Sequence, residues 1–268
     1  GTPKILEFNA DTPTSLLEAS VIQWQWKEDV FPECDQFNGI HEGLVQSWKD
    51  IFPKKGEIHF AGALENNEDT GTLQYLASTA MEVGFSTRVL DMQALDLQNG
   101  RFFDPAGELV NRCFKLYPWE WMVDESPDGC LAEMEWLEPI WKLVMSNKAI
   151  LATLYELFPD SPYVLPCYLS RPRSGLFCKK PVFSREGHNV SVVDIRDWEE
   201  YVRIAETEGD YNTGAYVYQE YVEPTVYSGR YPVIGSWIIG GEAAGIGIRE
   251  NRMEVTDNLS EFVPHIIG

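Results

Sequence analysis

The sequence predicts an α/β protein of mixed α+β character with an antiparallel sheet region in its second half. Two observations carry that reading. In the first half, strand-like runs at 58–64 and 87–90 flank a segment of helical periodicity at 72–83. In the second half, residues 177–182, 189–193, 216–222 and 233–248 are rich in β-branched and aromatic side chains and are broken by glycine. A length of 268 residues suits one large domain or two small ones.

Taken in order, Lys4-Ile5-Leu6-Glu7-Phe8-Asn9 alternates polar and apolar residues and predicts a strand. Thr12 and Pro13 read as an N-cap and N1 pair, Ser15 and Glu18 have capping-box spacing, and apolar periodicity over 16–26 predicts a helix. A second helix is expected at 44–51. Four of the nine tryptophans (Trp119, Trp121, Trp136 and Trp141) fall within a short stretch and are read as core. Residues 147–158 form an amphipathic pattern ended by Pro159. A further helix is expected around 197–206, and Gly240-Gly241 between apolar runs is a two-residue hairpin signal.

Composition narrows the function. Hydrophobic residues make up 44% and charged residues 24%, enough for a packed core. There is no run of about 20 apolar residues and no basic-then-apolar leader pattern after Gly1. The expectation is a soluble, cytoplasmic protein without membrane partners. The five cysteines, Cys34, Cys113, Cys130, Cys167 and Cys178, are odd in number and widely spaced, which argues against a disulfide framework or structural zinc. Asp and Glu total 42 against 21 Lys and Arg, a net charge of −21 that repels nucleic acid and attracts cations such as polyamines. Acidity for solubility is the plainer account of that balance.

Several catalytic motifs are missing: the P-loop, the dinucleotide fingerprint, the nucleophile elbow and the H-E-x-x-H zinc helix. Weaker signals remain. Glu7 and Asn9, two apart on the predicted strand, project from one face and offer oxygen ligands of the kind Mg²⁺ takes. Alone, such a pair more often marks a solvent-facing strand. Lys180, in Phe177-Cys178-Lys179-Lys180-Pro181, precedes the turn Ser184-Arg185-Glu186-Gly187, where a lysine and turn amides can reach a phosphate. The alternative is a pair of solvated lysines guarding an edge strand. Arg249 ends the stretch Gly245-Ile246-Gly247-Ile248, whose small residues would let a ligand approach the backbone.

The order of these segments resembles the glutathionylspermidine synthase family. The resemblance rests on Glu7-Phe8-Asn9-Ala10-Asp11, Asn147-Lys148-Ala149-Ile150-Leu151 with Leu157-Phe158-Pro159, Lys180-Pro181 with Arg185-Glu186-Gly187-His188-Asn189, and the glycine-rich stretch to Arg249. It covers nearly the whole chain, is similar to stand-alone bacterial homologues of the synthetase domain, and includes no amidase portion. It implies an ATP-grasp fold, with 1–145 as the metal and substrate side and 146–268 as the nucleotide-binding portion. It also implies an ATP-dependent carboxylate–amine ligase that uses ATP and Mg²⁺. Glu7 and Asn9 match metal ligands, Lys148 and Lys180 match lysines that contact ATP, and Arg185 and Gly187 match the phosphate-covering loop. Arg249 matches the arginine that stabilises the transferring phosphate. Thr12 and Thr14 stand where serines hold a glutathione-like peptide, and Glu68 and Asp69 align with an acidic pair near a polyamine-like amine.

The resemblance also implies an arginine and another acidic ligand upstream of Glu7, at positions preceding Gly1. The chain is therefore expected to correspond to about two-thirds of a synthetase domain, with weak or no ligation by that part alone. Leu116 stands where the family has a polar residue. With threonines in place of serines, this implies a carboxylate substrate other than glutathione. The alternatives are a catalytically inactive nucleotide-binding module and an ATP-grasp kinase. Retention of Glu7, Asn9, Lys148, Lys180 and Arg249 together argues for the ligase.

Overall fold

Alternation along Ile58-His59-Phe60-Ala61 sends Ile58 and Phe60 to one face of a sheet and Ala61 to the other, and each face acquires its own apolar core. The computed structural model describes residues 1–197, 200–211, 214–253 and 260–268. They divide into an antiparallel unit (Gly1–Asn9, Val144–Val233, Arg249–Glu261) and an α/β unit (Ala10–Leu143, Ile234–Ile248, Phe262–Gly268).

In the α/β unit the strands run Ser86–Asp91, Glu57–Gly62, Arg112–Leu116, Glu135–Leu137, parallel throughout. Parallel neighbours need a crossover, and the helix Asn67–Glu82 provides the first. It buries Leu73, Leu76, Ala77 and Ala80 against Ile58 and Phe60, together with Ile40 and Trp48 of the helix Ile40–Ile51. Asn66 caps it, its side chain accepting from the Glu68 amide. On the opposite face Ala61, Leu90 and Cys113 pack with Phe102 and Val110. These two come from a small antiparallel sheet of Asp96–Gln98, Arg101–Phe103 and Leu109–Val110. Coverage on both faces is why Phe60, Ala61, Leu90, Cys113 and Phe114 are buried along the parallel strands, with the polar His59 and Lys115 buried among them. Trp119 and Trp136 meet edge to face at 5.7 Å within this unit, whereas Trp121 and Trp141 are exposed. The core reading of the tryptophans thus holds for the first pair and not for the second.

The antiparallel unit holds a five-stranded sheet in the order Tyr201–Glu206, Ser191–Ile195, Gly175–Pro181, Tyr216–Glu220, Cys167–Tyr168. All its pairings are antiparallel. One face packs Phe177, Val193 and Ile195. The other packs Cys167 and Val217 against Leu151 and Ala152 of the helix Ile150–Leu157. The predicted hairpin is present as Tyr231–Ile239 and Glu242–Asn251, and its central part, Ile234–Ile248, belongs to the α/β unit. Its loop residues Gly240 and Gly241 have φ of 61° and 89°, the left-handed pair that a two-residue type I′ connection requires.

The mixed α/β class with an antiparallel second half is what the structure has; three local expectations are not met. Residues 4–9, all described, join none of the described sheets. Their backbone groups are satisfied by other partners: the Ile5 amide donates to the Tyr163 carbonyl, and the carbonyls of Ile5 and Leu6 accept from side chains. The first helix starts at Leu16 as its periodicity predicts, but Thr12-Pro13 does not cap it, and it contains a π-helical turn over Glu18–Ile22. The helix expected at 197–206 is instead the strand Tyr201–Glu206. Val202 and Ile204 alternate there, and an available sheet edge outweighs weak helical propensity. Part of that expectation, 198–199, lies outside the described residues. The five cysteines are free thiols. Among the described residues no helix is long and apolar enough to cross a membrane.

Candidate functional site

Strand alternation explains how the site in the antiparallel unit assembles. Lys180 pairs with Val217 and Cys178 with Gln219 across neighbouring strands, so these four side chains share one face. Lys179 points the other way, its ammonium 3.8 Å over the Tyr216 ring. The helix Ile150–Leu157 covers part of the shared face, and Lys148, just before that helix, is anchored by its amide to the Val182 carbonyl at 2.9 Å. Lys148 and Lys180 thereby come onto the same side of the sheet, both buried.

Their partners are specific. The Lys180 ammonium donates to the Leu6 carbonyl at 2.9 Å and to the Gln219 side-chain oxygen at 2.7 Å. The Lys148 ammonium donates to the Ser184 carbonyl at 2.6 Å and lies 3.4 Å from the half-exposed Glu7 carboxylate. Burial pushes the Lys180 pKa down; the nearby Cys178 and Glu7 oppose that shift and Lys148 adds to it. In a chain of net charge −21, two desolvated ammoniums facing one half-exposed carboxylate make a local cationic site. A polyphosphate is the ligand chemistry that such a site attracts.

The turn after Lys180 adds to it. Glu186, Gly187 and Asn189 have φ of 56°, 71° and 55°, left-handed conformations that curl the loop tightly. Asn189 pins it, accepting from the Tyr211 amide at 2.8 Å and donating to the Gly209 carbonyl at 2.9 Å. The Thr207 hydroxyl donates to the Gly187 carbonyl, and the Arg185 carbonyl accepts from the His188 amide. The Ser184 hydroxyl is buried with no hydrogen-bond partner among the described residues, an orphan of the kind a bound oxygen-rich ligand would satisfy.

Glu7, Lys148 and Ser184 of the 184–187 turn are therefore joined by direct contacts, and Lys180 is tied in through the Leu6 carbonyl next to Glu7. Asn9, on the same segment as Glu7, is exposed. Arg249 belongs to the same unit, half-buried on the strand Glu242–Asn251, where it donates to the Ser260 carbonyl at 3.4 Å. The glycines preceding it do not serve ligand approach. A Cβ at Gly245 would meet Ile40 Cγ1 at 2.9 Å and the Phe37 carbonyl at 3.1 Å, and one at Gly247 would meet Phe262 at 3.2 Å. These positions are small because the protein packs on them.

The remaining candidates lie in the α/β unit. Thr12 is buried and Thr14 exposed. Glu68 and Asp69 occupy the first turn of Asn67–Glu82, where carboxylates favour the helix dipole without any ligand. Two features escaped the motif reading. Gln219 contacts Lys180 directly, and its place two residues after the inward Val217 was the available signal. Asp11 and Lys115 form a buried ion pair at 3.7 Å.

Among the described residues no group of three His, Cys, Asp or Glu side chains could hold a metal. Glu7 and Asn9 offer two oxygens, a set that fits Mg²⁺ only when phosphates and water complete its shell.

An antiparallel sheet and a parallel α/β unit in one chain give a fold of the ATP-grasp class. The chain belongs to the glutathionylspermidine synthase preATP-grasp family, which it matches over residues 1–268. It is similar to a Haemophilus influenzae protein named as an acid–amine ligase, 37% identical over 98% of this chain and 70% of that one. It is also similar to trypanothione synthetase of Crithidia fasciculata, 28% identical over 97% of this chain and 44% of that one. The chain thus spans less than half of the latter. The fold is shared with a glutathione synthetase-like effector from Globodera pallida, with a TM-score of 0.58 at 10% identity, covering 99% of this chain and 72% of that one.

Proposed function

We propose that this chain carries the nucleotide site of an ATP-dependent carboxylate–amine ligase. The observation that carries the reading is the convergence of Glu7, Lys148 and Lys180 beside the 184–187 turn, in a chain of this family. In this reaction class the substrate carboxylate attacks the γ-phosphorus of ATP and ADP leaves. A neutral amine then attacks the acyl carbon, phosphate departs, and the amide nitrogen releases its proton.

In this reading Lys148 and Lys180 hold the nucleotide phosphates, and Arg185 with the Gly187 turn closes over them. Glu7 and Asn9 would hold Mg²⁺, which neutralises phosphate charge when bound. Arg249 braces the phosphoryl group in transit. Thr12 and Thr14 bind a glutathione-like carboxylate, and Glu68 with Asp69 draw in a polyamine-like amine. Residues 146–268 then form the nucleotide-binding portion and 1–145 the metal and substrate side. The names of the relatives support the chemical class of both substrates.

The test is ADP release by the full-length protein with Mg-ATP, a panel of glutathione-like carboxylates and a panel of amines that includes spermidine. Amine-dependent ADP release, abolished by Arg249→Ala, is the expected result. ADP release indifferent to amine would replace the ligase with a kinase. Absence of nucleotide binding would overturn the proposal.

A further inference from the structure

The Gln219 side chain is almost wholly withdrawn from water, at 2% exposure. A buried primary amide must place its donors and acceptor or lose stability. Gln219 places them on different parts of the chain: its oxygen accepts from the Lys180 ammonium at 2.7 Å, and its nitrogen donates to the Ile5 carbonyl at 2.9 Å. Lys180 completes the loop by donating to the Leu6 carbonyl at 2.9 Å. The consecutive carbonyls of Ile5 and Leu6 are thus gripped by one amide and one ammonium that are bonded to each other.

Glu7 is the next residue along the chain, and its carboxylate lies 3.4 Å from Lys148. Residues 5–9 join no β-ladder among the described residues, so beside the Ile5 amide bond to Tyr163 it is side-chain bonds that fix where Glu7 and Asn9 project. We propose that Gln219 is a positioning residue for the nucleotide site, coupling Lys180 to the segment that carries Glu7 and Asn9. The inference rests on the nucleotide reading above.

The polarity of the amide matters, which supplies the test. Gln219→Glu keeps an acceptor for Lys180 but turns a carboxylate oxygen toward the Ile5 carbonyl, releasing the segment alone. Gln219→Leu removes both bonds. Hydrogen exchange without ligand reads the segment directly. In both variants a peptide covering 4–9 should lose protection by about tenfold or more, while the strand Ser191–Ile195 keeps its own.

ATP binding is then measured with Mg²⁺ and with EDTA. Gln219→Glu should lose the affinity gained from Mg²⁺ by about tenfold, and more than it loses metal-free binding, whereas Gln219→Leu should weaken both alike. A merely structural residue would not split the two conditions. Wild-type exchange at 4–9 and a wild-type Mg²⁺ gain in both variants would overturn the inference and leave the nucleotide reading intact. If wild-type protein binds no ATP, the nucleotide reading falls and Gln219 loses its functional role, even where the exchange results show the clamp itself.

Discussion

The Lys115 ammonium lies 3.7 Å from the Asp11 carboxylate, and the side chains are 0% and 1% exposed. Neither charge could be buried alone. Asp11 also accepts from the Trp119 amide at 3.0 Å, and Lys115 donates to the Tyr117 carbonyl at 2.8 Å while lying 4.3 Å over the Trp119 ring. The end of the strand Arg112–Leu116, the turn after it and the residue preceding Thr12 are thereby tied together.

Breaking this pair from one side should be costly. Asp11→Ala or Lys115→Met each leaves a buried charge uncompensated and is expected to destabilise by about 3–5 kcal/mol. The double variant should be less unstable than the sum of the singles, because it removes the orphaned charge. Urea unfolding of all four proteins measures the coupling, and additivity within about 0.5 kcal/mol would show that the charges do not sense each other.

Stability should fall on acidification because of two histidines. His59 and His265 are both held below the ordinary imidazole range, chiefly by burial; at His59 the carboxylates of Glu57 and Asp104 oppose the shift. The geometry at His265 agrees. Its Nε2 accepts from the Phe37 amide at 3.1 Å, which leaves Nδ1 to donate to Gln23 at 2.9 Å, so a second proton would displace the Phe37 bond. In the unfolded chain both imidazoles titrate near 6.5. Below roughly that pH the unfolded state binds protons that the folded state refuses, so stability is full above it and declines as pH falls through it. Denaturant midpoints between about pH 5 and 8 should show this decline, and His265→Gln should flatten part of it. An unchanged slope in that variant would remove His265 from the account.

The charged site itself makes a prediction about nucleotide. Lys148→Met and Lys180→Met each delete a charge-assisted donor and should weaken Mg-ATP binding by about 1.5–3 kcal/mol, roughly ten- to a hundredfold in Kd. Glu7→Gln should act differently, lowering the gain from Mg²⁺ more than metal-free binding. Because burial already depresses the Lys180 pKa, affinity in wild-type protein should decline at a lower alkaline pH than an ordinary lysine would produce. Calorimetric titration with and without Mg²⁺ reads each effect. Equal affinity for wild type and both lysine variants would remove these ammoniums from the nucleotide site.

How much of this was readable in the sequence depends on the range of the interactions. The parallel half was visible because Ile58-His59-Phe60-Ala61 and the helix Asn67–Glu82 carry their own periodicities. Gly240-Gly241 announced its hairpin through backbone chemistry alone. The segment 4–9 has the alternation of a strand, but no sheet edge among the described residues receives it; its partners, Tyr163, Lys180 and Gln219, lie far along the chain. The lysines were found through motif order, yet their mutual placement was not readable, since it depends on strand register and a helix packed on one face. Gln219 and the pair Asp11–Lys115 were missed for the same reason: nothing local distinguishes a buried polar side chain from an exposed one until its partner is known.

Gly245 decides between two uses of a glycine-rich strand. If the absence of a side chain serves a ligand, Gly245→Ala should impair nucleotide binding in a protein of normal stability. The packing argues otherwise. The added methyl would sit 2.9 Å from Ile40 Cγ1 and 3.1 Å from the Phe37 carbonyl, at a junction where the Gly39 amide donates to the Ala244 carbonyl and the Ile246 amide to the Phe37 carbonyl. Overpacking of that kind costs about 1–3 kcal/mol. The expected result is a lower urea midpoint with ATP affinity of the folded protein within about twofold of wild type. Replacing Ile40 with Val at the same time should recover part of the loss, since it removes Cδ1, which would lie 3.1 Å from the added methyl. Unchanged stability with lost ATP affinity would return these glycines to the nucleotide site.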